Sequence, residues 1–209
     1  MIRLIIFDFS GTLAYYDAGG YKEIFGKLRE FNLPVKEEKT AELLKKAIPE
    51  YFSEAEDWDE LADKIIQKLG IVLETDRRQR LAALLRRKLA FKLYEDAADI
   101  IPLPQDKAIL TLCNKFVVDS IPELRYFTVF SPKLAETAKP DLKAFLAVLG
   151  KMKADPGETI MVGDSLERDI LPARALGIKA ILLDREDKTD INDASIIKIK
   201  SLKELKKYL

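Results

Sequence analysis

The feature that most restricts the fold of this chain is a run at residues 2–7, apolar except for Arg3, that ends abruptly at Asp8. Its mostly β-branched or aromatic residues predict a buried strand of a parallel sheet. Ligands of open α/β sheets bind beyond the carboxyl ends of the strands. We therefore expect Asp8 at the mouth of a site, where Gly11 lets the backbone turn and lets an anionic ligand approach successive amide groups.

A second segment repeats this design near the other end of the chain. Residues 158–163, whose apolar part is Ile160-Met161-Val162, lead into Asp164, and Asp169 follows at helical spacing. Two parallel strands that each end in an aspartate bring several carboxylate oxygens together, which suits Mg²⁺ beside a substrate phosphate. Lys139, at the predicted start of a helix between the two segments, would balance the negative charge.

In this order, the segments resemble the motifs of the haloacid dehalogenase-like superfamily over nearly the whole chain. The resemblance implies an α/β fold with a doubly wound, Rossmann-like parallel sheet core. It also implies hydrolysis of phosphate esters through an aspartyl-phosphate intermediate. Asp8 matches the nucleophile of the first family motif, Lys139 the lysine of the third, and Asp164 and Asp169 the acidic fourth motif.

The second family motif falls on residues 108–114, where Cys113 stands in place of the usual serine or threonine and Asn114 follows. A thiol donates a weaker hydrogen bond than a hydroxyl, and Thr111 compensates only partly because it lies two residues earlier on the strand. Cys113 can equally be a small buried apolar residue. Both interpretations stay open.

The resemblance assigns a role to each of these residues. The implied catalytic residues are Asp8, Lys139 and Ser10. The implied phosphate-binding residues are Phe9, Ser10, Cys113, Asn114 and Lys139. The implied Mg²⁺ site consists of Asp8, Asp164 and the backbone carbonyl of Ser10, with Asp169 ordering the outer shell of the metal.

Ser10 departs from the pattern of most phosphatases in this superfamily, which have a second aspartate two residues after the nucleophile. That aspartate protonates the leaving oxygen and later activates water. Serine is no comparable acid or base at neutral pH, and loss of a positioned general acid costs about 10² to 10⁴ in rate. The sequence therefore predicts a slow or atypical phosphohydrolase.

Three alternatives compete with a phosphatase. A regulatory or inactive member would keep the phosphate site but turn over little, which Ser10 and Cys113 both favour. A phosphonate hydrolase would lack the second acid and form an imine on a cap lysine, for which Lys22 or Lys27 are candidates. A dehalogenase ranks lowest, because that branch works without a metal and does not require Asp164.

Composition excludes several mechanisms. The 209 residues contain no histidine and one cysteine, so imidazole catalysis, histidine-bound zinc and an internal disulfide are excluded. The 35 basic and 35 acidic residues cancel, and we expect neither a nucleic acid nor a membrane partner. With no apolar stretch of membrane-spanning length and no signal peptide, we expect a cytoplasmic protein. Abundant charged residues with only three Gln and three Asn resemble heat-adapted proteins.

The chain is predicted to divide into a catalytic core, residues 1–15 and 95–209, and a helical cap, residues 16–94. A hinge is expected at residues 14–20, and the cap should contain no strands. The predicted cap helices cover residues 21–31, 37–52, 57–69 and 76–93. The predicted core strands lie near 108–112, 126–130, 158–162 and 178–183, and the core helices near 139–150, 168–177 and 203–209.

Such a cap resembles the lids that close over small substrates in this family, and we expect a small phosphorylated metabolite. The cap residues that could face the site are Tyr15, Tyr16, Tyr21, Lys22 and Trp58. Packing of the aromatic rings and solvation of the lysine are the competing interpretations. The arginine-rich face of residues 77–87 is expected in solvent. The sequence predicts no oligomeric state.

Overall fold

The structure is a computed structural model that describes residues 1–16, 37–89, 91–133, 137–190 and 193–209, together with Ile24, Gly26 and Leu28. These residues belong to two compact units. The first unit comprises Met1–Tyr15, Leu93–Leu112 and Pro122–Leu209. The second unit comprises Tyr16–Lys92 and Cys113–Ile121.

The described strands and helices follow in chain order. The strands are β1 (Leu4–Phe7), β2 (Ala14–Tyr16), β3 (Phe91–Leu93), β4 (Asp106–Leu110), β5 (Thr128–Phe130), β6 (Thr159–Gly163), β7 (Lys179–Leu183) and β8 (Ile197–Ile199). The α-helices are α1 (Glu37–Glu54), α2 (Trp58–Leu69), α3 (Thr75–Lys88), α4 (Lys115–Asp119), α5 (Leu142–Met152) and α6 (Leu171–Ala175). Short 3₁₀ turns and one π-helical turn (Leu166–Ile170) connect them.

The first unit contains a six-stranded sheet with the order β5-β4-β1-β6-β7-β8, and every pairing in it is parallel. The predicted α/β fold with a Rossmann-like parallel sheet is confirmed. Each of the four predicted core strands is present within two residues of its expected ends. Strand β8 was not expected, because its three residues, Ile197–Ile199, are too few to show a clear pattern.

Strand β1 lies at the centre of this sheet, and all four of its residues are completely buried. Phe7, its last residue, pairs with Ile109 of β4 on one side and with Val162 of β6 on the other. The chain builds outward from β1 in both directions, so the topological switch point of the sheet lies here. At such a point a crevice opens beyond the carboxyl ends of the strands.

Helix α5 covers one face of the sheet with an apolar stripe. Ala144, Phe145, Val148 and Leu149 are buried in it, at the spacing that places them on one side of a helix. They join a core cluster that includes residues from β1, β4, β5, β6 and β7. Leu146, one position after Phe145, is half exposed. This packing fixes α5, and hence the loop that precedes it, against the sheet.

The second unit is mainly helical. The side chain of Asp57 caps α2 by accepting a hydrogen bond from the backbone N–H of Glu60 at 2.8 Å. Gly70, with a φ of 64°, ends that helix in the left-handed region, which glycine adopts readily. The buried residues of α2 include Leu61 and Ile65, which lie on one side of the helix.

The expectation that residues 16–94 contain no strands is wrong. Helix α3 ends at Lys88, five residues before the predicted end, and β3 pairs with β2 in a two-stranded sheet. In β3, Phe91 is buried and Lys92 is exposed, the alternation of an extended chain. The ring of Phe91 lies 5.6 Å from that of Phe52, which stabilises the strand by aromatic packing.

Residues Cys113–Ile121, which the sequence assigned to the core, belong to the second unit. The backbone N–H of Asn114 donates to the carbonyl of Phe52, and its side-chain amide donates to the carbonyl of Ala55, both at 2.7 Å. The Phe116 ring meets the Trp58 ring edge-on at 5.2 Å. These contacts join residues far apart in the sequence, which explains the difference.

Several predictions fall on residues outside the described ranges. These are most of the predicted hinge at 14–20, Tyr21, and the imine candidates Lys22 and Lys27. In the predicted helix at 21–31, the three described residues are helical, and Ile24 and Leu28 are buried. No helix in the described ranges is long and apolar enough to cross a membrane.

The neighbours Phe145 and Leu146 test the packing of α5. Phe145→Ala should lower the free energy of unfolding by about 3 to 5 kcal/mol, because it leaves a cavity in the core. Leu146→Ala, on the exposed side, should change it by less than about 0.5 kcal/mol. Urea unfolding followed by circular dichroism measures both. Equal losses would contradict the assignment of the buried face.

Candidate active site

Asp8 follows β1 directly and lies at the carboxyl edge of the sheet. Its backbone N–H donates to the carbonyl of Val162 at 2.9 Å, which extends the β1–β6 pairing by one residue. The next carbonyl, of Phe9, accepts hydrogen bonds from the backbone N–H groups of Leu13 and Ala14, both at 2.9 Å. This tight turn leaves Asp8 as a mostly buried carboxylate on a rigid strand, with only 7% of its surface exposed.

Lys139 joins two of the predicted acids. Its Nζ donates to Oδ1 of Asp8 at 2.5 Å and to Oδ1 of Asp169 at 2.6 Å. The lysine side chain is 2% exposed. Burial disfavours the charged ammonium, but the two carboxylates more than offset this and raise the pKa of Lys139 above its ordinary value. Lys139 therefore stays a cation between Asp8 and Asp169.

Asp169 is oriented by the turn that follows β6. The backbone N–H of Ser165 donates to its Oδ2 at 3.1 Å, and the Ser165 hydroxyl accepts a hydrogen bond from the backbone N–H of Arg168 at 3.2 Å. A Cβ atom on Gly163 would overlap the Asp169 carboxylate. Burial raises the pKa of Asp169, although Lys139 acts in the opposite direction. Glycine at position 163 is thus required by the close approach of this acid.

Asp164 lies near Asp8 and Asp169 and is more exposed than either of them. Burial of its carboxyl and, after that, the charge of Asp8 raise its pKa to about 6. Gly11 approaches it so closely that a Cβ atom there would overlap the carboxylate, and the φ of Gly11 is 92°. Both the conformation and the space therefore require glycine at position 11.

The three carboxylates form one cluster. Asp8, Asp164 and Asp169 each offer an oxygen, and these oxygens lie within 4.8 Å of one another. Lys139 supplies one positive charge against three acids, so negative charge is in excess in this cluster. A hard divalent cation with oxygen ligands fits this donor set. The structure thus brings four of the predicted site residues together.

The other predicted residues have different surroundings. Ser10 is exposed and directly follows Phe9, whose side chain is fully buried, so only the backbone of Phe9 is available to a ligand there. Cys113 and Asn114 lie in the second unit, where Asn114 is buried and its amide group is bound to Ala55. Their contact with a phosphate stays a prediction.

Arg185 is a further residue near the site that was not predicted from the sequence. It lies two residues beyond β7. Its guanidinium donates to both carboxylate oxygens of Asp96 and to the carbonyl of Thr12, which lies two residues after Ser10. Its position at the carboxyl end of a third core strand was the available signal, because the same rule had already identified Asp8 and Asp164.

A family profile described as haloacid dehalogenase-like hydrolase matches residues 2–177. The chain belongs to this family. The matched range contains the three clustered carboxylates and Lys139, so the family assignment and the site geometry concern the same residues. No curated protein matches this haloacid dehalogenase-like hydrolase.

Solved structures of the family share the fold of this hydrolase. A HAD phosphatase from Thermococcus onnurineus has a TM-score of 0.72 and 22% identity, with 99% of this chain and 97% of that chain covered. A 2-haloacid dehalogenase from Pseudomonas syringae pv. Tomato DC3000 has the same TM-score and coverage at 21% identity. The HAD-hydrolase YfnB from Bacillus subtilis, bound to magnesium, has a TM-score of 0.62 and 19% identity, with coverage of 99% and 98%. The fold is thus common to proteins of different chemistry.

Replacement of Lys139 tests the electrostatics of the cluster. Lys139→Met should lower the free energy of unfolding by about 3 to 5 kcal/mol at pH 8, because two buried carboxylates lose their counter-ion. The unpaired acids then acquire higher pKa values in the folded state, so the loss should shrink as the pH falls toward 5 and they take up protons.

Urea unfolding at both pH values measures this difference. Lys143→Met, at an exposed position near the start of α5, is the matched control and should change the free energy of unfolding by less than about 0.5 kcal/mol. A loss for Lys139→Met that does not depend on pH would contradict the charge assignment.

Proposed function

We propose that this hydrolase is a Mg²⁺-dependent phosphatase of small phosphorylated metabolites, with Asp8 as its nucleophile. The observation that carries the proposal is the cluster of three carboxylates around one buried lysine. Phosphoryl transfer depends mainly on positioning and on neutralising charge, which such a cluster can supply once a cation is bound. The protein would act without nucleic acid or membrane partners and in the cytoplasm.

Each residue has a proposed part in the reaction. Asp8 would attack phosphorus in line with the leaving oxygen and form an aspartyl phosphate, which water then hydrolyses. Lys139 would hold the Asp8 carboxylate in position through its 2.5 Å hydrogen bond and neutralise charge on the transferring group. Ser10, Cys113 and Asn114 would contact the phosphate oxygens, together with the backbone at Phe9.

The residues that would hold Mg²⁺ are Asp8, Asp164 and the carbonyl of Ser10, with Asp169 ordering its outer shell. When bound, the cation would neutralise phosphoryl oxygens as negative charge develops. The hydrogen bonds of Asp169 to Lys139 and to Ser165 fit this outer position, because both of its oxygens already have protein partners.

The excess of acids also bears on dehalogenation. A 2-haloacid carries a carboxylate, which three clustered aspartates and a single lysine would repel. A phosphatase resolves the same repulsion with its cation. We therefore place dehalogenation below phosphate hydrolysis, and 2-chloropropionate provides the direct comparison.

A second candidate is a regulatory member that binds phosphate with little turnover. The exposed Ser10, which is no general acid, favours it. The proton of the leaving group must then come from water or from another side chain. The two candidates differ in turnover alone, so rate measurements distinguish them.

The nucleophile is tested by steady-state hydrolysis of p-nitrophenyl phosphate with Mg²⁺. Asp8→Asn should lower kcat by about 10³-fold or more, since an amide is no nucleophile here. Asp119→Asn, on an exposed helix position, should retain full activity. Removal of Mg²⁺ with a chelator should abolish turnover, and its return should restore it. If the unmodified protein is no faster than Asp8→Asn, the enzyme proposal fails.

The missing acid is tested by Ser10→Asp. Because a positioned general acid contributes about 10² to 10⁴ in rate, this variant should raise kcat for alkyl phosphates strongly. The increase in kcat should be smaller for p-nitrophenyl phosphate, because its leaving group needs no proton. Ser10→Asn is the matched control, with similar volume and no acid. Equal rates for all three proteins would show that protonation does not limit turnover.

A further inference from the structure

A cavity of about 220 Å³ opens beside the carboxylate cluster, within the first unit. Two of its lining residues, Gly11 and Asp164, also bound the cluster. Tyr94, Arg185, Glu186 and Lys188 are among the others. A group bound in this cavity would therefore lie next to the reacting phosphoryl group, on the core side of the site.

Arg185 fixes one wall of the cavity. Its Nη1 and Nη2 atoms donate to the two oxygens of Asp96 at 2.8 and 2.9 Å, and Nη2 also donates to the carbonyl of Thr12 at 2.8 Å. Asp96 is itself held by the Ser201 hydroxyl and the backbone N–H of Leu202. A bidentate pair of this kind defines position as well as charge. Arg185 thus secures the turn that contains Gly11 and Thr12.

The same arginine holds Tyr94. Its guanidinium carbon lies 3.8 Å from the centre of the Tyr94 ring, and the ring of Tyr15 lies 5.0 Å away. The Tyr94 backbone N–H donates to the carbonyl of Leu13 at 3.0 Å. The Tyr94 hydroxyl has no hydrogen-bond partner among the described residues, so a rigidly held phenol is left for a ligand.

The charges around the cavity select against a second anionic group. Asp164, Asp184 and Glu186 contribute carboxylates to its lining. Three of the charged lining residues are in ion pairs: Arg185 with Asp96, Lys188 with Glu186, and Asp184 with Lys198. Among the described residues, Asp164 is thus the lining carboxylate that no ion pair neutralises. Neutral hydroxyl groups fit better, because they donate to carboxylates and also accept from a phenol.

We propose that this cavity is a subsite for the hydroxyl-bearing leaving group of a sugar or polyol phosphate, with Tyr94 as its specificity-determining contact. Arg185 is the positioning residue that holds Tyr94 and the Thr12 turn. The proposal rests on the phosphatase function and adds the substrate class to it. The volume of the cavity admits a few hydroxylated carbons, since it is roughly the space of seven waters.

The test compares kcat/KM for glycerol 3-phosphate, ribose 5-phosphate and glucose 6-phosphate with kcat/KM for phenyl phosphate. Tyr94→Phe keeps the ring and its contacts but removes the hydroxyl. It should lower the ratio of the best polyol ester to phenyl phosphate about 3- to 10-fold, the effect of one lost hydrogen bond. Tyr126→Phe, at an exposed tyrosine, should leave this ratio unchanged.

Arg185→Lys separates positioning from folding. It should lower the same ratio, and the double variant with Tyr94→Phe should lose no more selectivity than Tyr94→Phe alone. A merely structural role would reduce kcat/KM for all four esters alike and leave the ratio unchanged. Should Arg185→Lys fail to fold, Tyr94→Phe still decides the proposal.

The subsite is overturned if Tyr94→Phe leaves the ratio within twofold, or if phenyl phosphate is hydrolysed and none of the polyol esters is. If no ester is hydrolysed, the phosphatase proposal fails separately. Calorimetric binding of glucose 6-phosphate and of inorganic phosphate to the unmodified protein then decides the subsite. Tyr94→Phe should weaken only the former, and equal binding in both proteins overturns the subsite.

Discussion

The buried ammonium of Lys139 is the interaction on which the site depends. It holds Asp8 at the end of β1 and Asp169 after β6, so it joins the segments that follow two neighbouring central strands. Without this cation, two carboxylates with almost no access to water would face each other, which costs several kcal/mol. The glycines at positions 11 and 163 then allow Asp164 and Asp169 to close around the same point.

The sequence predicts those parts of the site that depend on local patterns of apolar and acidic residues. Apolar runs that end in Asp8 and Asp164 are visible without a structure, because a parallel strand buried on both faces needs such a run. The helical spacing of Asp169 is equally local. The resemblance then supplied the order of the motifs and the part of Lys139.

The parts that the sequence did not predict depend on contacts between distant residues. The leucines at 81, 84, 85 and 89 continue a helical pattern, and only the packing of Phe91 on Phe52 shows that the chain becomes a strand. Arg185 reaches Thr12 across 173 residues and Asp96 across 89. The position of Arg185 after a strand indicates its place near the site, but no local pattern predicts that its partners are Asp96 and Thr12.

The placement of Cys113–Ile121 in the second unit determines which residues must be moved together when this unit is exchanged between related proteins. A contiguous insertion could be transplanted by cutting the chain twice, near the boundaries at Tyr16 and Lys92. Here the helical unit is discontinuous in sequence, and a graft of residues 16–92 alone would leave Phe52 and Ala55 without the amide groups of Asn114 that they bind. Recombination within the family must therefore carry Cys113–Ile121 together with the helices, so this segment and the helical unit are expected to evolve together.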